Sequence, residues 1–313
     1  MRAIRIHEYG DTSVLRCEEV REPALLPDDV LVRVHAAGVN PADCQFRRGD
    51  YRTVAPLPMP AILGWDVAGT VERFGPQAIG LQVGELVFAM CEMGRDGAYA
   101  EFVAIRATHV APAPKSLPLT AAAGVPLAAL TAWQALFDLG QLASDQSVLI
   151  HAAAGGVGLF AVQLAHLAGA RVTATARPDN HELLHSLGAA RCVDYRDSEW
   201  ASTLSDFDVV IDGAGGATRD RSWGVLRDGG LLIAIAMPPA DPGEAANRGR
   251  RAATAQVVPN GARLREIGAM IDAGRLKVIV DSEYPLAEVA AAHLRSESRR
   301  ARGKILLNVA SPT

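Results

Sequence analysis

The chain has 313 residues, 49% of them hydrophobic and 21% charged, which is long enough for a large core and excludes a disordered polymer. Its net charge of -4 offers no basic field for nucleic acid or an anionic membrane, so neither is expected as a partner. Cys17, Cys44, Cys91 and Cys192 form no C-x-x-C pair, so free thiols are expected rather than a disulfide framework or a structural zinc.

Met1 to His7 lacks the apolar core of a signal peptide and reads as an opening strand, so the expected location is the cytoplasm. Short apolar stretches follow, such as Val30-Leu31-Val32-Arg33-Val34 and Val67-Ala68-Gly69-Thr70-Val71, separated by Gly, Pro and Asp turns. That pattern predicts a mainly β domain. A proline-rich junction at 113–120 closes it, and helical, alanine-rich sequence begins near Thr120. The expected division is 1–118, completed by 259–313, and 119–258.

Val148 to Arg177 reads as strand, glycine turn, helix and second strand. Val148-Leu149-Ile150 is a buried-strand pattern, and Ala152, Gly155 and Gly158 hold the small-residue positions of a dinucleotide fingerprint. The first allows a tight turn, the second lets backbone N–H groups of Ala154, Gly155, Gly156 and Val157 approach a pyrophosphate, and the third lets helix and strand pack closely. A helix is expected over 158–168, and Val172-Thr173-Ala174-Thr175 completes a βαβ unit. Small residues at such spacing also occur in ordinary packed turns. A membrane span over 148–172 is disfavoured by His151, Gln163 and His166.

At the end of the second strand, where an acidic residue would bind the adenosine ribose, stand Ala176 and Arg177. A carboxylate would repel a 2′-phosphate, whereas a guanidinium supplies planar donors, so NADPH is expected over NADH. His181-Glu182-Leu183-Leu184-His185 matches H-E-x-x-H, yet it starts the helix beside this pocket, and a solvated helix face is expected rather than zinc.

Asp208 to Asp212, ending in Gly213-Ala214, and Gly230 to Ile235 are further buried-strand patterns, giving a Rossmann-type doubly wound parallel sheet. The loops at Gly213 and Ala236 should then border the dinucleotide. Met237 to Arg251 reads as a mobile loop, and Thr254 to Val258 as an edge strand whose pairing with a second copy makes a homodimer the expected assembly. A helix over 261–274 and a final strand at 303–307, returning to the first domain, complete the chain.

The order of motifs resembles the zinc-independent quinone reductase branch of the medium-chain dehydrogenase/reductase superfamily. The resemblance rests on Ala37-Gly38-Val39-Asn40-Pro41-Ala42-Asp43, Leu63-Gly64-Trp65-Asp66, Gly97-Ala98-Tyr99-Ala100-Glu101, Leu130-Thr131-Ala132-Trp133, the glycine loop, and Ala301-Arg302-Gly303-Lys304. It implies an α/β chain in which the β domain is GroES-like and catalytic. It places Asn40, Tyr51 and Thr131 around the nicotinamide, Tyr195 beside the 2′-phosphate, and Gly213, Ala214, Ile235, Gly303 and Lys304 along the cofactor.

In the zinc alcohol dehydrogenases of the same superfamily the catalytic metal is held by Cys, the His of Gly-His-Glu, and a second Cys. Those positions correspond here to Asn40, Gly64-Trp65-Asp66 and a place near Leu127, so no metal is expected. Without a Lewis acid the expected acceptor is a quinone or an α,β-unsaturated carbonyl compound, with Tyr51 donating to the developing oxyanion. Asn40 has the plainer role of capping a turn before Pro41, and Tyr51 that of a surface or lid residue. Asp43 is a poor proton donor unless its pKa is raised, and a structural hydrogen bond is its expected use. Gln45 stands where some quinone reductases have tyrosine, Ala154 replaces a frequent serine, and Asn180 a lysine useful for the 2′-phosphate. Enoyl-thioester reduction and non-catalytic NADPH binding are the alternatives.

Overall fold

The structure, a computed structural model, describes residues Met1–Val309. The chain divides into two compact units, Met1–Leu130 with the segment from Val258 onward, and Thr131–Val257.

The second unit is built on a six-stranded parallel sheet. In spatial order its strands are Arg191–Val193, Arg171–Thr175, Ser147–Ile150, Phe207–Asp212, Leu226–Ala234 and Arg251–Thr254. The chain runs outward from Ser147–Ile150 in one direction and then in the other, so a topological switch point lies between that strand and Phe207–Asp212, where Val209 is in register with Val148 and Val210 with Leu149. Burial explains the sequence of these strands: Val148, Leu149, Ile150, Val209, Val210, Ile211, Leu232, Ile233 and Ala234 are almost wholly enclosed, as continuous apolar runs in parallel sheets are.

Two expectations for this unit need correction. The segment Met237–Arg251 contains a helix, Pro242–Asn247, whose N-cap Asp241 accepts a 2.8 Å hydrogen bond from the Gly243 backbone. The edge strand lies at Arg251–Thr254 rather than Thr254–Val258, paired in parallel with Leu231–Ala234. An acidic cap followed by Pro at the first helical position explains the helix.

The first unit is mainly β. Its seven-stranded sheet runs Val280–Pro285, Lys304–Asn308, Asp29–Val39, Asp66–Phe74, Leu86–Met90 and Val110–Pro112, with Phe102–Arg106 also pairing Asp29–Val39. Asp29–Val39 is the organising strand: both faces are buried over most of its length, and it pairs with the C-terminal strand through Val39 opposite Ile305 and Gly38 opposite Leu306. This pairing sets Asn40 at one end of the organising strand and Lys304 at the adjacent end of its neighbour. By length and composition alone the helical run Leu119–Leu139 is apolar enough to cross a membrane, but 72% of its most apolar stretch is buried, as in a core helix of a globular protein.

Candidate active site

In the first unit, Asn40 leaves the organising strand in an extended conformation and is the N-cap of the helix Pro41–Arg48. Proline suits the first helical position because its missing N–H is unsatisfied there anyway. Asn40 thus occupies the N-cap position, but its side chain makes no capping hydrogen bond and is turned to other partners. Its Nδ2 donates to Asp66 Oδ2 at 2.9 Å, and its Oδ1 accepts from the Lys304 ammonium. Lys304 also donates to Asp66 Oδ2 at 3.0 Å, while Asp66 Oδ1 accepts the Leu127 backbone N–H at 2.6 Å. Asn40, Asp66 and Lys304 are all buried, Asp66 completely.

Asn40, the pair Trp65-Asp66 and the place near Leu127 are the positions that the resemblance matches to the zinc ligands of the alcohol dehydrogenases, and their chemistry here is different. Asn40 offers an amide, Trp65 an indole, Leu127 a backbone N–H, and the one carboxylate among them is already neutralised by an ammonium. Such a set does not fit a Zn²⁺ ion, which takes thiolate, imidazole and carboxylate ligands and would be repelled by Lys304. Among the described residues no group of three or more His, Cys, Asp or Glu is arranged to hold a metal.

Three residues into the helix, Asp43 is fully buried and accepts the Asn40 backbone N–H at 2.6 Å. Burial pushes its pKa up to about 7, partly offset by that hydrogen bond. The structural hydrogen bond expected of Asp43 is present, and its pKa is in addition raised. Around it lies a buried polar line: His293 Nε2 to the Tyr99 hydroxyl at 3.3 Å, Arg47 to His293 Nδ1 at 3.1 Å, and Arg47 to Glu297 at 2.6 Å. Because Arg47 can only donate, His293 Nδ1 accepts and Nε2 carries the proton. Burial lowers the His293 pKa to about 3 and keeps it neutral.

Tyr51 lies two residues beyond the C-cap of the same helix. Its ring stacks on Phe46 with centroids 4.6 Å apart, Phe46 meets Trp65 edge-on at 4.8 Å, and its hydroxyl donates to Gln45 Oε1 at 3.2 Å. It is half-buried, and burial raises its pKa, so the phenol is a donor at neutral pH. Gly303 has φ +100°, and a Cβ there would meet the Ile279 carbonyl oxygen at 2.2 Å, which reserves the position before Lys304 for glycine.

In the second unit the turn after Ser147–Ile150 is tight: Ala152 has φ +51°, and Gly155 donates to the Ala152 carbonyl at 2.9 Å. The helix runs Gly156–Leu167, starting two residues before the expected 158, so Gly155 is its N-cap and Gly156, Val157 and Gly158 form its first turn. A Cβ on Gly158 would lie 2.5 Å from the Ala152 oxygen and 2.6 Å from Ala153 Cα, which explains the third small residue. The open first turn of a twelve-residue helix, beside the carboxyl end of the central strand, fits a pyrophosphate.

Ala176 follows the second strand, and Arg177 is 44% exposed at the side chain, paired loosely with Asp179 at 3.3 Å. Tyr195 is 46% exposed. His181, half-buried, is bonded to the Ala176 carbonyl at 3.1 Å and His185, exposed, to the Ala189 carbonyl at 2.7 Å, so the imidazoles lie on a largely solvated face and also fix local backbone. Thr131 is buried at the start of this unit. Gly213 and Ala214 follow Phe207–Asp212, with the Ala214 N–H donating to Asp212 Oδ1 at 3.0 Å, and Ile235 N–H donates to the Asp212 carbonyl at 3.0 Å.

Sequence reasoning missed His151. It is 1% exposed, its Nδ1 lies 2.9 Å from Thr175 Oγ1 and its Nε2 2.9 Å from Ser222 Oγ, and burial lowers its pKa to about 4. Since Ser222 gives its own proton to the Thr218 carbonyl, the ring donates to Ser222 and accepts from Thr175. Its place between an apolar strand and the glycine turn was the available signal.

Residues 26–115 match the alcohol dehydrogenase GroES-like domain, and residues 187–307 match the zinc-binding dehydrogenase family. The chain is 33% identical over 98% of its length, and 79% of the relative's, to a 2-methylene-furan-3-one reductase of Solanum lycopersicum. Its fold is similar to that of a quinone oxidoreductase from Coxiella burnetii, with TM-score 0.91, 30% identity and 99% of each chain covered. A quinone oxidoreductase of Escherichia coli solved with NADPH gives TM-score 0.89 at 27% identity, covering 99% of this chain and 100% of that one. The chain belongs to the medium-chain dehydrogenase/reductase superfamily, in the branch that holds quinone and enone oxidoreductases. It is an NAD(P)H-dependent oxidoreductase with a GroES-like domain and a Rossmann-type domain.

Proposed function

We propose that this chain is an NADPH-dependent reductase of quinones or α,β-unsaturated carbonyl compounds that works without zinc. The observation that supports the reading is the closed cluster of Asn40, Asp66 and Lys304, in which an ammonium pairs the carboxylate beside Asn40 and Trp65, residues that the resemblance matches to the superfamily's zinc ligands. An alcohol would there lack the Lewis acid that lowers its pKa, whereas a conjugated acceptor needs only a hydride and a stabilised oxygen.

A bound reduced nicotinamide supplies the hydride. The chain's own residues bind, orient and donate. The first turn at Gly155–Gly158 takes the pyrophosphate, Arg177 the 2′-phosphate with Tyr195 beside the adenine, and Thr131, Gly213, Ala214 and Ile235 border the remainder. Asn40 and Tyr51 flank the acceptor, and the Tyr51 hydroxyl, held by Gln45, turns its proton to the oxygen on which charge accumulates. A cytoplasmic homodimer belongs to the same proposal; the open edge at Arg251–Thr254 favours pairing with a second copy.

The test is consumption of NADPH and of NADH against a panel of quinones, enones and enoyl thioesters. We expect NADPH to be preferred and Arg177→Ala to weaken NADPH while sparing NADH. NADH preference would remove Arg177 from the cofactor argument. Stoichiometric zinc together with alcohol oxidation would overturn the reading as a whole.

A further inference from the structure

Two loops leave the carboxyl ends of neighbouring strands in the second unit, Gly213–Gly215 after Phe207–Asp212 and Ile235–Pro239 after Leu226–Ala234. The second contains Pro238 and Pro239, which have no N–H and cannot tie the segment into a ladder. Its carbonyls are satisfied by a side chain instead. Arg219, on the helix Gly216–Ser222, donates from Nη2 to the Ala236 carbonyl at 2.6 Å, and from Nη1 to the carbonyls of Pro238 at 2.5 Å and Pro239 at 3.3 Å. Its Nε donates to Asp212 Oδ2 at 2.5 Å.

The other Asp212 oxygen accepts the backbone N–H groups of Ala214 at 3.0 Å and Gly215 at 2.8 Å. Asp212 is completely buried and Arg219 is 7% exposed. One enclosed ion pair therefore joins both loops, carboxylate to one and guanidinium to the other. The loops also touch: a Cβ on Gly215, which has φ +69°, would lie 3.2 Å from the Met237 oxygen. A buried arginine with its donors spent on three carbonyls of one loop is a costly device for mere stability, because an apolar filling of the same space is commonly as stable.

We infer that the Asp212–Arg219 pair is a positioning device that fixes the Ile235–Pro239 loop against the nicotinamide half of the dinucleotide. The inference rests on the proposed dinucleotide reading, since loops at the carboxyl ends of such strands border the ligand. Arg219 acts through the loop and touches neither substrate nor cofactor. A loop displaced by about 1 Å costs on the order of 10²-fold in hydride transfer, while the adenosine half, held at Gly155–Gly158 and Arg177, is untouched.

The test compares Arg219→Met and Arg219→Lys with the unaltered chain, using binding of NADPH, binding of adenosine 2′,5′-bisphosphate, and amide hydrogen exchange at Ala236 and Met237. In Arg219→Met, NADPH binding should weaken about tenfold or more and kcat fall, with bisphosphate binding unchanged, which also shows that the domain is folded. Arg219→Lys keeps the charge on Asp212 but reaches fewer carbonyls, so it should show faster exchange at Ala236 and Met237 and an intermediate loss. Equal weakening of both ligands, or unchanged NADPH binding with faster exchange, overturns the positioning role. If Arg219→Met does not fold, Arg219→Lys decides alone, and unchanged exchange in it overturns the inference. Failure of the unaltered chain to bind either ligand would instead refute the dinucleotide reading.

Discussion

Replacing Lys304 by Met removes the ammonium bonded to a buried carboxylate. Asp66 keeps two donors, the Leu127 N–H at 2.6 Å and Asn40 Nδ2 at 2.9 Å, while Asn40 Oδ1 loses the ammonium. Breaking a buried pair costs about 3–5 kcal/mol, and the two remaining donors put the Lys304→Met cost near the lower end, about 3 kcal/mol. For a domain of this size that is a fall of roughly 6–12 °C in the midpoint of the first unit's transition, read by calorimetry. Asp66→Asn alone should cost a similar amount, about 3 kcal/mol, because it leaves a buried ammonium facing two neutral amides. In the Lys304→Met background the same Asp66→Asn change removes a stranded charge, so it should be neutral or stabilising. The coupling is then about as large as either single effect. Two single losses that simply add would refute the idea that this cluster is one closed ion pair.

Three further outcomes follow from the geometry. His151 and His293 are buried neutral with pKa values lowered to about 4 and about 3, so below the ordinary imidazole value the unfolded chain binds more protons. Their stability is present above about pH 6.5 and is lost as pH falls toward those values, on the order of several kcal/mol together. Asp43 acts oppositely between about pH 4 and 7, where the folded chain holds a proton that the unfolded chain releases. Urea midpoints against pH should therefore show a steep acid limb that flattens in His151→Gln, and an unchanged limb would count against the buried neutral ring. Gly158→Ala should lose dinucleotide binding, because its Cβ meets backbone at 2.5 and 2.6 Å and the turn cannot keep its shape; retained affinity in a binding titration would contradict the close packing. Tyr51→Phe should lower kcat more than it alters NADPH affinity, and equal turnover on every acceptor would remove the phenol from the mechanism.

The βαβ unit was legible because each of its signals is local: an apolar strand, small residues at fixed spacing, and a helical repeat. The structure adds why Ala152 and Gly158 are small, a left-handed turn at one and a backbone contact at the other. The cluster of Asn40, Asp66 and Lys304 was half legible. Each residue stood in a motif, but the bond between Lys304 and Asn40 spans 264 residues and exists only because the last strand pairs with the organising strand. Arg219 was invisible, since an arginine in a polar helix reads as surface until the prolines that need its donors are folded beside it. A helix-start signal was present yet unread in Asp241-Pro242, where composition spoke for a loop and the cap for a helix.

The most direct measurement follows the transferred hydrogen. With NADPH carrying deuterium at the transferable C4 position and an enone acceptor, the reading predicts a saturated ketone with deuterium at the former β-carbon. Deuterium at the carbonyl carbon, giving an allylic alcohol, or no transfer from NADPH to any conjugated acceptor, would contradict it.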